Sequence, residues 1–260
     1  MNYTLITGAS SGIGYELASV FAKNNHNLIL VARSTEKLES LKKEIEKNFS
    51  VVAEVITLDL AKQNSADELF AIVNKKNLNV DILVNNAGFG DHSLFFIQNK
   101  KKIEEMVLLN VLTLTMLTKL FLPKMIDNKY GKILNVASTA AFQPGPLMSV
   151  YYASKAYVLS FTEGLYEELK GTGVSVTALC PGPTESGFMS AANISQIALM
   201  ETFKLPTSKD VAQFGYIALI NNKAVAVHGF MNTLVAKSTS FVPRSLLRKM
   251  VMKLQEKRNT

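Results

Sequence analysis

The chain has 260 residues, is 48% hydrophobic and 19% charged, and carries a formal net charge of +7, a composition that fits one globular domain with a substantial core and excludes a low-complexity chain. A single cysteine, Cys180, excludes an internal disulfide and a multi-cysteine metal centre, so no metal is expected and a reducing, cytoplasmic setting fits. The excess charge sits at the C-terminus, where Arg244, Arg248, Lys249, Lys253, Lys257 and Arg258 face Glu256 alone; the body is near neutral and offers no broad face to nucleic acid.

Short apolar runs alternate with longer helical patterns, the rhythm of an α/β chain with a parallel sheet. The first predicted strand, Thr4–Thr7, runs into Gly8-Ala9-Ser10-Ser11-Gly12-Ile13-Gly14 and a helix over Gly12–Asn24. A Gly-x-x-x-Gly-x-Gly turn between strand and helix lets the backbone approach a diphosphate at a helix N-terminus, although a purely structural turn also uses such glycines. The second strand, Asn27–Ala32, ends at Arg33. Sites that read an unmodified ribose place a carboxylate there; a guanidinium suits a 2′-phosphate and favours NADP(H) over NAD(H), whereas a merely solvated Arg33 would leave fold and reaction unchanged.

A helix over Ser34–Phe49 capped by Ser34, a strand over Val51–Leu58 and a helix over Asn64–Asn77 come next. They are followed by a strand over Ile82–Asn85, a long helix over Lys101–Asn128 and a strand over Lys132–Ala137. The helix predicted over Val150–Lys170 carries Tyr151 and Lys155 one turn apart on the same face. An ammonium beside a phenol stabilises phenolate and lowers the phenol's pKa, which suits general acid/base chemistry; alone, the pair is equally a packed tyrosine and a surface lysine. After the strand Ser175–Cys180, residues 183–206 fit neither periodicity and are read as a substrate-side loop or lid. A helix over Ser208–Leu219 capped by Ser208 and a strand over Ala224–Val227 complete the count of about seven strands. The apolar stretch 211–236 is interrupted by Asn221-Asn222-Lys223 and His228-Gly229, so no transmembrane segment is expected. The expectation is one domain over 1–260: a Rossmann-like, doubly wound parallel sheet with helices on both faces in three layers, binding its ligand beyond the carboxyl ends of the strands.

Taken together, Thr7-Gly8-x-x-x-Gly12-x-Gly14, Asn85-Asn86-Ala87-Gly88, Asn110, Ser138, Tyr151-x-x-x-Lys155 and Pro181-Gly182 resemble the short-chain dehydrogenase/reductase family in order and spacing over nearly the whole chain. The resemblance implies that Tyr151 exchanges a proton with a carbonyl or alcohol oxygen and that Ser138 hydrogen-bonds the same oxygen. Lys155 would bind the nicotinamide ribose and depress the Tyr151 pKa, and Asn110 would hold a water linking Lys155 to solvent. Without the family, Ser138 could simply end a strand and Asn110 satisfy a buried helix contact. Asp59 and Leu60 match the adenine-binding position, Asn86, Ala87 and Gly88 the adenosine ribose wall, and Pro181, Gly182 and Thr184 the nicotinamide border. Gly8, Ser10, Ser11, Gly12, Ile13 and Gly14 match the diphosphate turn. Ser186 stands where family members often carry threonine, which puts that contact in doubt.

Phe89, Phe142, Gln143, Met148, Phe188 and Met189 flank these motifs and suggest a substrate pocket for a carbonyl or alcohol compound with a hydrophobic body, although several equally suit core or interface. A nucleotide-sugar epimerase or dehydratase would use the same Tyr-Lys pair, but the glycine spacing and modest length favour an oxidoreductase; a non-catalytic NADP(H) sensor is opposed by the intact Ser138, Tyr151 and Lys155. The family resemblance implies a homodimer or homotetramer. At the end of the chain, Leu246, Leu247, Met250, Val251 and Leu254 form one stripe of a basic amphipathic helix over 244–260. It is expected to dock on the body or a second subunit, with peripheral attachment to anionic lipid as the alternative.

Overall fold

A computed structural model describes residues 1–188, 192 and 205–256. Seven parallel strands form one sheet: β1 (Asn2–Thr7), β2 (Asn27–Ala32), β3 (Ala53–Thr57), β4 (Asn79–Asn85), β5 (Gly131–Val136), β6 (Val174–Cys180) and β7 (Val225–Val227), in the order β3-β2-β1-β4-β5-β6-β7. The strand runs are apolar on both faces because both faces are covered: Leu28, Ile29, Leu30 and Val31 in β2 are all without solvent contact. On one side pack α1 (Gly12–Lys23), α2 (Thr35–Asn48) and α7 (Ser208–Ile220), through Leu17, Phe21, Leu38, Leu41, Val211 and Leu219. On the other lie α3 (Ser65–Lys75), α5 (Leu114–Asp127) and α6 (Ser149–Glu168), through Leu69, Leu117, Phe121 and Leu165. The expected three-layer, doubly wound architecture is therefore the one observed.

The predicted strands and helices recur with ends shifted by one to three residues. Helix termini follow local chemistry: Asn25, Asn77 and Asn222, just beyond α1, α3 and α7, take positive φ of 64°, 53° and 53°, the left-handed conformation that asparagine tolerates better than most residues. Ser34 caps α2 by accepting from the Lys37 amide. The second expected cap moves by one residue. Thr207, not Ser208, caps α7 in a capping box with Asp210, and the Ser208 hydroxyl instead donates to the Glu185 carbonyl at 2.8 Å.

The long predicted helix is three pieces: α4 (Lys100–Val107), a π-helical turn over Leu108–Thr113, and α5. The run Lys100–Asp127 is long and apolar enough to cross a bilayer by length and composition; here it lies against the sheet, with Leu114, Leu117, Phe121 and Met125 buried. Two helices follow β7: α8 (Phe230–Ser238), which the sequence pattern did not suggest, and α9 (Arg244–Gln255). The basic C-terminal segment thus docks on the body, but only Leu247 and Val251 of the predicted stripe are inside, joined by Gln255, while Leu246, Met250 and Leu254 face outward. Met189, most of the proposed lid, and Lys257 and Arg258 lie outside the described residues.

Candidate active site

The strand order reverses between β1 and β4, and the crevice at this switch point opens into a cleft of about 1030 Å³ along the carboxyl ends of the strands. Its first wall is the turn after β1. Gly8 and Gly12 adopt φ of 68° and 56°, and a Cβ on Gly14 would stand 2.2 Å from the Gly8 carbonyl oxygen, so the tight turn requires glycine at all three. The turn is tied to the segment after β4: the Thr7 hydroxyl accepts from the Asn86 and Ala87 amides, each at 3.0 Å, and the Asn86 side chain donates to the Thr7 and Gly8 carbonyls at 2.8 and 3.3 Å. Ser10, Ser11 and Ile13 line the same wall.

At the ends of β2 and β3 the cleft is lined by Arg33, Ser34, Lys37, Asp59 and Leu60. Arg33 is exposed, and Asp59 accepts from the Ala61 amide at 3.1 Å. The Leu60 carbonyl accepts from Ser65 and from Thr113 in the π-helical turn. These residues fit a dinucleotide: a glycine cradle with free N–H groups at a helix N-terminus suits the diphosphate, and Arg33 and Lys37 stand at the far corner of the cleft.

The chemical end is built from β5, β6, α6 and the π turn. Tyr151 and Lys155 are both buried in the first turns of α6. Lys155 Nζ donates to the Val136 carbonyl at 2.7 Å and stands 5.8 Å from the Tyr151 ring centre. Ser138 caps a short 3₁₀ turn (Thr139–Phe142) by accepting from the Ala140 amide, donates to the Pro181 carbonyl at 3.4 Å, and stands beside the Tyr151 phenol. Asn110 sits in the π turn, 1% exposed, where its amide donates to the Phe89 carbonyl at 2.9 Å and to Ser154 at 3.1 Å and its oxygen accepts from the Phe89 amide. A Cβ on Gly88 would lie 3.0 Å from that oxygen and 3.5 Å from Lys155 Nζ. An extra residue in a helix re-aims side chains, and such turns recur at functional sites.

One electrostatic expectation changes. Burial pulls Lys155 down to about 8 and raises the Tyr151 phenol well above its ordinary value; the Ser138 hydroxyl beside it pulls Tyr151 down but does not offset the burial. The ammonium is held by the Val136 carbonyl rather than by the phenol oxygen, so in this arrangement desolvation, not the Lys155 charge, sets the Tyr151 proton affinity. Cys180 is fully buried and its thiol is pushed up to about 12, which makes it core and not a nucleophile.

Pro181, Gly182 and Thr184 border this end, and the Thr184 hydroxyl donates to the Gly182 carbonyl at 2.9 Å. Ser186 lines the cleft close to Gly12. Phe89, Gln143, Met148 and Phe188 line the substrate side, with the Phe188 ring 5.3 Å from Tyr151. Phe142 does not: it packs against the cluster of Leu114, Ala137, Val158, Leu159, Ala178 and Cys180. Its place in the 3₁₀ turn directs it to the core. Asn110 acts from behind the lining rather than on it.

Among the lining residues that the sequence reading did not name are Lys37 and a pair at the substrate end. Tyr152 and Gln255 meet across the cleft edge, Gln255 Nε2 donating to the Tyr152 hydroxyl at 2.5 Å, while the Gln255 carbonyl bonds His92 Nε2 at 2.8 Å. Gly145 makes room for the Tyr152 ring, 2.1 Å from where a Cβ would stand. The i, i+4, i+8 spacing of Leu247, Val251 and Gln255 was the available signal, masked by the more apolar neighbouring stripe.

A model of the short chain dehydrogenase family matches residues 2–196. Among solved structures, a short-chain dehydrogenase from Sphingobium yanoikuyae in complex with NADPH is 27% identical, covers 94% of this chain and 98% of its own, and superposes with a TM-score of 0.82. The bulky-bulky ketone specific alcohol dehydrogenase from Comamonas testosteroni is 28% identical, with coverage of 94% and 96% and a TM-score of 0.77. A very-long-chain 3-oxoacyl-CoA reductase of Anas platyrhynchos is 31% identical over 259 residues, 96% of this chain and 79% of that protein. Its Bos taurus counterpart is 32% identical over 183 residues, 69% of this chain and 58% of that protein.

Proposed function

From its membership of the short chain dehydrogenase family, which makes it an oxidoreductase acting on CH–OH and C=O groups, we propose that this chain uses NADP(H) to interconvert a ketone or aldehyde with a hydrophobic body and its alcohol. The observation that carries the reading is the convergence of Ser138, Tyr151 and Lys155 with the glycine cradle in one cleft.

A bound nicotinamide cofactor supplies or accepts the hydride. The turn from Gly8 to Gly14 would hold its diphosphate, Asp59 and Leu60 its adenine, Asn86 to Gly88 its adenosine ribose, Lys155 its nicotinamide ribose, and Pro181, Gly182 and Thr184 its nicotinamide. Ser138 and Tyr151 hydrogen-bond the substrate oxygen, and Tyr151 gives it a proton during reduction. Burial raises the Tyr151 pKa, so the phenol is protonated at neutral pH and in the form that reduction uses. Lys155 and the Asn110 turn return the proton from solvent.

NADP(H) is favoured because the residue that follows β2 is Arg33, not a carboxylate that would repel a 2′-phosphate, and Lys37 of α2 lines the same corner, while the Asp59 carboxylate, at the end of β3, is assigned to the adenine. Phe89, Met148 and Phe188 around Tyr151 favour an apolar substrate body, and the names of the relatives make 3-oxoacyl thioesters and bulky ketones the first compounds to try. A cytoplasmic homodimer or homotetramer belongs to the same reading. The test is NADPH oxidation over aldehydes, ketones and 3-oxoacyl thioesters, with Tyr151→Phe as control: turnover abolished by that change is expected, and turnover indifferent to it overturns the mechanism.

A further inference from the structure

Between Asp210 and Glu256 the chain has no carboxylate, while Lys223, Lys237, Arg244, Arg248, Lys249 and Lys253 are all in that interval. The same stretch carries large apolar side chains in solvent. In α8, Phe230 is 82% exposed with Met231 and Leu234 beside it; Phe241, between α8 and α9, is 88% exposed; and Leu246, Met250 and Leu254 line the outer flank of α9. Scattered apolar residues on a surface are ordinary, but a dense set within one cationic segment is not.

A second exposed group, Phe95, Phe96 and Ile97, follows β4. It belongs to the same end of the molecule, since His92, three residues before Phe95, bonds the carbonyl of Gln255 at the end of α9. The other elements are anchored at the cleft rim as well: Gln255 bonds Tyr152, and Asn232 of α8 fills the space beside Gly182. The exposed aromatic and aliphatic side chains are therefore borne on elements attached at the substrate end of the cleft.

We propose that this rim is a peripheral docking surface for an anionic lipid bilayer, with α8, α9 and the 95–97 turn lying in the interface and the substrate end of the cleft facing the lipid. The occupant is chosen by charge as well as apolarity. A second copy of the chain would bring the same carboxylate-free, cationic stretch against itself, whereas acidic headgroups neutralise Lys249 and Lys253 while Phe241, Leu246 and Met250 enter the acyl boundary. On α9, Lys249 and Lys253 border the exposed flank formed by Leu246 and Met250, so their stems can cover it while the ammonium groups reach the headgroups.

The experiment sediments the full chain with vesicles of phosphatidylcholine alone and of phosphatidylcholine mixed with phosphatidylserine. The expected result is co-sedimentation with the acidic vesicles at low salt, release at high salt, and little binding to neutral ones. Lys249→Glu with Lys253→Glu should lower the partition about tenfold or more, and Phe241→Ser should lower it as well. Both variants change exposed side chains, so an unchanged thermal melt and unchanged turnover of a water-soluble ketone keep misfolding apart from lost docking. Wild-type protein that stays in the supernatant with acidic vesicles overturns the proposal, and so does binding indifferent to both variants. Failure to bind accompanied by a change of oligomeric state in Phe241→Ser would assign the surface to a second copy instead. Vesicle binding needs no turnover, so this outcome is separate from the fate of the proposed reaction.

Discussion

At the cofactor end of the cleft, backbone and short side chains hold one another: three glycines, the Thr7 hydroxyl and the Asn86 amide form a closed set of hydrogen bonds between adjacent strands. At the substrate end, long side chains come together from distant parts of the chain, Gln255 reaching Tyr152 and His92 across more than a hundred residues. The first construction leaves no freedom for side-chain change and so shows as motif. The second depends on where a terminal helix docks, and this is where members of one fold can differ in substrate.

The largest effect should come from the residue both ends serve. Tyr151→Phe removes the proton donor while keeping the ring, and kcat/KM for NADPH-dependent reduction should fall about 10²- to 10⁴-fold with the melting temperature nearly unchanged. The pH profile sharpens this. Reduction needs the phenol protonated and oxidation needs it ionised; with the Tyr151 pKa raised by burial, reduction should be flat through neutral pH and oxidation should climb steadily into the alkaline range. A reduction rate that falls through neutrality would show a lowered Tyr151 pKa instead.

Arg33→Ala tests the far corner of the cofactor end. Loss of a charge-assisted contact worth about 1.5–3 kcal/mol should raise the KM for NADPH by about ten- to a hundredfold, leaving that for NADH unaffected. Phe142→Ala asks whether that residue is core, as its neighbours imply: it should cost about 1–3 kcal/mol in denaturant unfolding and leave substrate KM alone. Gln255→Ala is the smallest, removing one hydrogen bond worth about 0.5–1.5 kcal/mol, and should alter KM for substrate by less than about tenfold without touching cofactor affinity.

Most of the fold was legible because buried parallel strands are written as continuous apolar runs such as Leu28 to Val31, and the doubly wound order follows from strand-helix alternation. The site was legible where chemistry demands one residue type, at Gly14, Ser138, Tyr151 and Lys155. Elsewhere a neighbour competes on equal terms. Thr207 and Ser208 are both good caps, and only the position of Asp210 decides between them. Phe142 flanks a motif yet points inward. The π turn around Asn110 shifts the helical register within six residues and leaves no compositional trace. Residues 246, 250 and 254 outscore 247, 251 and 255 in apolarity, although the second set is the one that docks.

The most direct measurement follows the reducing equivalent itself. With NADPH deuterated at C4 of the nicotinamide and a ketone substrate, mass spectrometry should find one deuterium on the carbinol carbon of the alcohol formed by the wild-type chain, and almost no alcohol from Tyr151→Phe. Alcohol that carries no deuterium from either face-labelled cofactor, or equal yields from the two proteins, would contradict the account.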